Sequence, residues 1–454
     1  EVRRCGESLQ RVPKENAMKK MKHQMIFSVI FLAAMLSGRL SAQSGVTEFV
    51  SFRDFINRTT TANPNEYVAR PDSRLRDAAA FEEMRQHILA MYGGVEVSHS
   101  FVLDSSHFDC IPIDQQPAFR IRGIKSIASP PPQSILAKPA NANLPAAIRP
   151  AVQLDPEKPF DQFGNSVYCE EHTIPMRRIT LDTMAHFPTV HDFFAKHPDG
   201  SQQFPSQAPT TLQHKYSLAV QNVNNLGGNS NLNIWSPYVN VLLGEVFSLS
   251  QEWYAGGSGS GLQTEEVGWI VYPAMFGDEK PHFFIFSTPD NYATGCWNST
   301  CGDFIQVAGS GILGASFTPS TFGGTQYDFS AEYYLYQGNW WLAYQGTWIG
   351  YYPGSMYHGG QNTKYAQTIE FGTESVGSTL WPPEGSGQWS SAGFGYAAYQ
   401  RNLWYFNTSA SRVWDSLTAV QLSPYCYTIS GPYSSRSSGW TRYFYEGGPG
   451  GSGC

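Results

Sequence analysis

Charge is scarce in this chain. Only 15% of its 454 residues are Asp, Glu, Lys or Arg, against roughly a quarter in ordinary soluble proteins. The formal net charge is -7, which argues against a nucleic-acid partner. Long apolar runs are missing as well. The stretch from Met25 to Leu36 is too short to cross a bilayer, and no other segment approaches the length needed. Helical periodicity is nearly absent from the C-terminal half. Motifs of several hydrolase and nucleotide-binding classes are also missing. There is no His-Glu-x-x-His and no Walker loop. Gly257-Ser258-Gly259-Ser260-Gly261 has glycine at its centre, so it reads as a flexible loop and not a nucleophile elbow. Cys296 and Cys301 are not a CxxC pair and have no histidine nearby, so no metal or other cofactor is expected.

Aromatics, by contrast, make up 14% of the chain, with 43 glycines and 29 prolines. That is the composition of an extracellular, turn-rich β protein and not of a disordered one. Met18-Lys19-Lys20-Met21-Lys22, the apolar run after it and the small residues Ser41-Ala42 read as a secretory signal over 18–42. Residues 1–17 then read as upstream sequence without a role. Setting Cys5 aside leaves six cysteines, Cys110, Cys169, Cys296, Cys301, Cys426 and Cys454. An even number in a secreted chain implies disulfides, with fifteen possible pairings. Asn57, Asn298 and Asn407 each open an acceptor sequon, available for glycans if the source is a eukaryote.

Between about 43 and 208 one helix is expected, Asp77 to Tyr92, with Phe81, Met84, Ile88 and Met91 on its apolar face and Gly93-Gly94 stopping it. Alternating runs at Ile111–Ile113, Phe119–Ile127 and Cys169–Ile179 suggest strands. The Pro/Ala-rich stretch up to Pro150 reads as an exposed loop. His186 to Gln213 is polar, without periodicity, and is the expected domain boundary and processing region. From 209 to 454, short aromatic runs alternate with Gly, Asn and Pro, which predicts an antiparallel β-sandwich or barrel. The fold class is therefore mainly β, a sandwich domain preceded by a small α+β domain.

Thr264 to Tyr272 is the most informative stretch. Read as a strand, it puts Val267, Trp269 and Val271 on one face and Glu266, Gly268, Ile270 and Tyr272 on the other. Glu266 is then a carboxylate in an apolar strand beside a glycine that leaves room for an approaching group. A surface glutamate at a strand start is the plainer alternative. Gln251 shares a face with Phe247, Leu249 and Trp253, where a lone amide needs a partner. It would donate to an oxyanion or satisfy a backbone carbonyl.

Glu266-Val267-Gly268-Trp269 with Val271-Tyr272-Pro273 resembles the Glu-Ala-Gly-Trp-x-Val-x-Pro segment of the neprosin family. Ile369-Glu370-Phe371-Gly372-Thr373-Glu374 resembles that family's Val-x-Trp-Gly-Gly-Glu. Asp109-Cys110-Ile111-Pro112-Ile113, Gln116-Pro117-Ala118-Phe119 and Cys169 with Thr173 to Arg178 resemble motifs of its activation domain. The resemblance implies a secreted glutamic peptidase, cleaving next to proline and made as a zymogen. It gives a pro-domain and linker at 43–208 and a catalytic β-sandwich at 209–454. It implies Glu266 and Glu374 as the catalytic pair, with Glu370 at a variable position. Beside them, Gln251 from its strand face, and Trp253 and Trp269 as aromatics for a proline-binding groove, are candidate oxyanion or substrate contacts. It also suggests pairings Cys296–Cys301 and Cys426–Cys454, leaving Cys110 with Cys169. Phe371, Thr373 and Val267 depart from the family pattern.

Two close carboxylates suit this chemistry, because like charges raise one pKa and leave one acid protonated beside one base. The expected partners are proline-containing peptides and the chain's own pro-domain, with no membrane span, and a monomer. Paired carboxylates on a β-sandwich also suit a glycoside hydrolase, and a non-catalytic carbohydrate- or wall-binding protein is a further alternative.

Overall fold

The computed structural model describes residues 48–136, 147–196, 212–436 and 439–454. The leader at 18–42, Cys5, and parts of the Pro/Ala-rich loop and of the processing region lie outside the described residues. Val46–Cys454 forms one compact unit.

In the N-terminal part, α1 (Phe52–Thr61) is capped by Ser51, whose hydroxyl accepts from the Asp54 amide. It is followed by α2 (Pro64–Val68) and α3 (Ala78–Tyr92). The α3 helix starts at an Asp77 cap and buries Phe81, Met84, Ile88 and Met91, the face its spacing predicts. Strands β1 (His99–Leu103), β2 (Ser106–Pro112) and β4 (Thr173–Arg177) form a small antiparallel sheet, which the Cys110–Cys169 disulfide ties to the chain before β4.

Three expectations need correction here. Phe119–Ile127 is not a strand: Pro117 opens a short helix, α4 (Pro117–Arg120), and irregular chain follows. Helices α1 and α2 escape a periodicity search because α1 buries only Phe55 and Thr59 and α2 buries nothing. The stretch after His186 is not wholly irregular, since α6 (Val190–Phe194) follows α5 (Leu181–Met184) with Thr189 as its cap.

The C-terminal part is a sandwich built around one long strand. That strand, β5 (Gln213–Asn233), is followed by β6 (Glu245–Gly256), β7 (Gln263–Val271), β8 (His282–Thr288) and β9 (Cys296–Trp297). Next come β10 (Ile305–Gln306), β11 (Gln326–Tyr336), β12 (Asn339–Tyr344), β13 (Thr347–Pro353) and β14 (Ala366–Gly377). The sheet order is β10-β13-β12-β11-β5-β14-β6-β7-β8-β9. The first half of β5 pairs with β14 and its second half with β11, so β5 passes from one layer into the other. It turns at Gly227, where φ is +103° and a Cβ would lie 2.2 Å from the Tyr333 carbonyl oxygen. The pieces between β4 and β5 are short, and before β4 the chain adds the bridge β3 (Ile148–Pro150) on β11.

Between the layers, Tyr254, Val267, Trp269, Phe283, Ile285 and Phe371 pack against Phe329, Tyr333, Trp340, Leu342 and Tyr352. The outward face of β14-β6-β7-β8 is not left to solvent. Its Leu249, Trp253, Ile270, Phe284 and Phe286 share one apolar cluster with Phe81, Met84, Ile88, Phe187 and Phe193 of the N-terminal part. The Cys296–Cys301 and Cys426–Cys454 disulfides join the pairs the resemblance suggested. Among the described residues no helix is long and apolar enough to cross a membrane.

Candidate active site

Strand register sets this site. Three rows run across β14, β6 and β7: Glu370–Trp253–Glu266, Gly372–Gln251–Gly268 and Glu374–Leu249–Ile270. Residues in one row share a face, so Glu266 and Glu374 lie on a diagonal with Gln251 between them. Both neighbours of Gln251 in the middle row are glycine. At Gly268 a Cβ would sit 2.1 Å from the Ser250 carbonyl oxygen and 2.8 Å from the Gln251 Cβ. At Gly372, where φ is +153°, it would sit 2.1 Å from the Ser217 carbonyl oxygen. These glycines let the strands close and leave the space above Gln251 open.

That space holds the Lys196 ammonium, which arrives from the chain just after α6. Its Nζ lies 2.5 Å from Glu266 Oε2 and 2.9 Å from Glu374 Oε2, with all three side chains buried. It also donates to Gln251 Oε1 at 3.2 Å, while Gln251 Nε2 reaches Glu374 Oε2 at 3.5 Å. Glu266 Oε1 accepts from the Tyr292 hydroxyl at 2.8 Å and the Thr264 hydroxyl at 2.9 Å. Glu374 Oε1 lies 2.5 Å from His214 Nδ1.

Burial alone would raise the Glu374 carboxyl. The Lys196 charge and the His214 hydrogen bond outweigh it and hold Glu374 below the usual carboxylate range. Burial would lower the Lys196 ammonium, but its two carboxylate neighbours raise it above the ordinary lysine value. Glu370 stands apart. Burial, helped by the Glu266 charge, pushes it up to about 7.

The structure thus brings Glu266, Glu374 and Gln251 together and places Trp253 in the wall of the same groove, a space of about 230 Å³. It removes Trp269 from the set of substrate contacts. Trp269 points into the sandwich core, where its indole donates to the Asn233 carbonyl, because residues 267, 269 and 271 face away from the groove. Asn298 is corrected as well: it is buried and its Oδ1 accepts from the Ile285 amide, which leaves a glycan no room in the folded chain. Asn57 is exposed and Asn407 half-exposed.

Lys196, His214, Tyr292 and Thr264 touch the candidate glutamates, and sequence reasoning misses them. One signal for Lys196 exists: it is the single basic side chain, histidines aside, between His186 and Gln213, and it follows Phe193-Phe194. The two groups of metal-type ligands among the described residues, around Cys110 and around Cys296, each include a cystine sulfur, which is no thiolate. A larger cavity of about 830 Å³ lies between the N-terminal part and the chain after β10 (Val307, Ala308 and Ile312), with Tyr344 and Gln345 at the end of β12, away from the paired glutamates.

Fold and site together define a β-sandwich protein with a glutamate pair in a covered groove. Residues 244–449, which contain both glutamates, match the family model described as Neprosin. Those residues are therefore similar to the neprosin family over somewhat less than half of the chain. Among solved structures it is similar to scytalido-glutamic peptidase with a transition-state-analogue inhibitor, at 9% identity and a TM-score of 0.30, covering 52% of this chain and 99% of that one. A second structure of that peptidase, with a peptide-based transition-state analogue, matches at 8% identity and a TM-score of 0.28 over the same shares.

Proposed function

We propose that this chain is a secreted glutamic endopeptidase made as a zymogen, which hydrolyses peptide bonds next to proline in acid. The observation that carries the reading is one ammonium shared by Glu266 and Glu374. Two carboxylates that can both reach one nitrogen can also both reach one water. With Lys196 withdrawn, the like charges favour a state with one proton between them.

In that state Glu266, oriented by the Tyr292 and Thr264 hydroxyls, takes a proton from water as the water oxygen attacks the scissile carbonyl carbon. Protonated Glu374 and the Gln251 amide donate to the developing oxyanion. Collapse of the adduct breaks the C–N bond, and the proton gained from water passes to the leaving nitrogen. Tyr216, Trp253 and Tyr292 line the groove and offer the aromatic faces on which a proline ring packs, and its fixed φ lowers the ordering cost.

Residues 43–208 act in this reading as the pro-domain. The apolar cluster shared with the groove face and the Lys196 contact hold it in place.

The test is acidification of the purified precursor. The wild type is inert near neutrality. In acid it loses its N-terminal part, gaining a new N-terminus between 186 and 213, and then cleaves proline-containing quenched peptides. The Glu266→Gln precursor stays intact unless wild type is added. Full activity at neutral pH without a cut overturns the zymogen reading. Hydrolysis of a polysaccharide panel in place of peptides overturns the peptidase reading.

A further inference from the structure

Among the described residues, Glu370 is the one groove carboxylate that the proposed reaction leaves idle. It lies on the same strand face as Glu374 and in the row Val220–Glu370–Trp253–Glu266. Its backbone is two strands from that of Glu266, roughly 10 Å at the usual strand spacing. Among the described residues no hydrogen bond or ion pair engages its carboxylate. It is partly exposed and lines the groove with Trp253, Leu218 and Leu422. An unpaired acid in a largely apolar wall is costly unless a ligand uses it. The same wall already accommodates a cation of this chain, since the Lys196 ammonium lies 5.4 Å from the Trp253 ring centroid.

We propose that Glu370 is a specificity residue which binds a cationic substrate side chain, lysine or arginine, lying across Trp253 two to four residues from the scissile bond. This rests on the peptidase reading. An extended peptide advances about 3.3 Å per residue, so the separation from Glu266 corresponds to that many residues.

The site is pH-dependent. The titratable groups facing Glu370 are Glu374 on its own strand, His214 and Tyr216 on β5, Glu266 on β7, Tyr292 from the loop after β8 and, in the precursor, Lys196. Its carboxyl titrates at about 7. It is therefore neutral in strong acid, where it makes only a neutral hydrogen bond, and it gains charge as the pH rises. A cationic substrate lowers its pKa on binding and draws the ionised form in.

The experiment uses the chain cut within 197–211 by an added protease. The substrates are proline-containing quenched peptides that differ only in Lys, norleucine or Glu at positions two to four residues from the cut. For wild type, the Lys-to-norleucine ratio of kcat/KM should rise about fivefold between pH 4 and pH 6.5, the gain of a charge-assisted contact about one quarter formed. Glu370→Gln should flatten that ratio, and Glu370→Lys should shift preference to the Glu peptide. A wild-type ratio that does not change with pH, or a rise that survives in Glu370→Gln, overturns the proposal.

Calorimetric binding of the same peptides to cut Glu266→Gln protein separates the two readings. Selective binding of the Lys peptide with no cleavage by wild type upholds the subsite and sinks the peptidase reading. Cleavage with a flat ratio does the reverse. Neither binding nor cleavage sinks both.

Discussion

Replacing Lys196 by methionine tests the latency device at its smallest part. Methionine keeps most of the length and apolar bulk of the side chain and removes its charge. In the precursor, that charge is the ammonium that Glu266 and Glu374 share within a buried space. Removing one partner from a buried ion pair costs about 3–5 kcal/mol, because the remaining charge stays desolvated. Here one carboxyl can take a proton and recover part of that loss, so we work with the lower end, about 3 kcal/mol, or more than a hundredfold in the closed-to-open ratio.

The pH dependence follows from the depressed Glu374 carboxyl. Its contribution to holding the segment is present above the ordinary carboxylate range and is lost as the pH falls through its depressed value. On the proposed reading, wild type should therefore stay closed at neutrality and open in acid. The Lys196→Met precursor should open, cut itself and cleave a fluorogenic proline peptide at a pH well above the wild-type threshold. The assay is precursor length by electrophoresis and peptide turnover across pH 3 to 7, with a thermal melt to show that the fold survives. A Lys196→Met precursor as inert as wild type, and cut at the same pH, refutes the account of Lys196 as the plug.

Glu266→Gln and Glu374→Gln should each reduce turnover by about a thousandfold or more while leaving the melting temperature near wild type, since shape is kept and proton transfer is lost. Equal loss in both, read by single-turnover peptide cleavage, is the expected pattern. Gly268→Ala should destabilise the chain by about 1–3 kcal/mol, because its Cβ would meet the Ser250 carbonyl oxygen at 2.1 Å; urea denaturation measures it, and an unchanged midpoint would contradict the close strand approach. Glu446 is buried, and burial pushes it up to about 8 despite the Ser250 hydrogen bond. Its folded value lies above its unfolded one, so its contribution is full below the ordinary carboxylate range and is lost as the pH rises through about 8, a loss of roughly 3–5 kcal/mol. Melting from pH 5 to 9 should show that loss in wild type and a smaller one in Glu446→Gln.

The elements legible in the sequence are those where one physical signal dominates. Strict alternation alone assigns both faces of β7, and with them the groove side of Glu266 and the core side of Trp269. That same alternation argues against Trp269 as a substrate contact. The α3 helix is legible from four apolar positions and a Gly-Gly stop. Strand β5, the longest in the sandwich, is not, because its second half is Asn, Ser and Gly apart from Leu226 and Leu232, and those three residue types are depleted in strands. Burial makes those side chains useful: Asn229 donates to the Asn402 carbonyl, Ser230 to Gln400 and Asn233 to the Tyr327 carbonyl. With β5 unseen, His214 and Tyr216 have no place in the groove. Lys196 stays hidden for a different reason. Its role is set by a contact across 70 residues of sequence, and no local pattern encodes such a partner.

The acids of this sheet divide by face, and the division bears on where the protein can work. On the groove face, Glu266 and Glu374 have a cation and several donors. On the core face, Glu252, Glu265 and Glu384 have neutral partners. These are Tyr254 for Glu252, Asn362 for Glu265, and Thr373 and Ser375 for Glu384. Burial pushes all three well above the usual carboxylate range. Glu384 lies beneath β14, on the two residues that flank Glu374, and the Glu374 charge raises it further. Kept neutral, Glu384 presents only dipoles to the dyad. Ionised, it would add a like charge one strand thickness away and oppose the charged form of Glu374. The core is therefore most stable when its acids are protonated, and the Lys196 contact is weakest when Glu374 is protonated. In the proposed mechanism the dyad works with a single proton, so all three conditions lie on the acid side, and one fall in pH would release the plug, set the dyad and leave the sheet beneath it neutral.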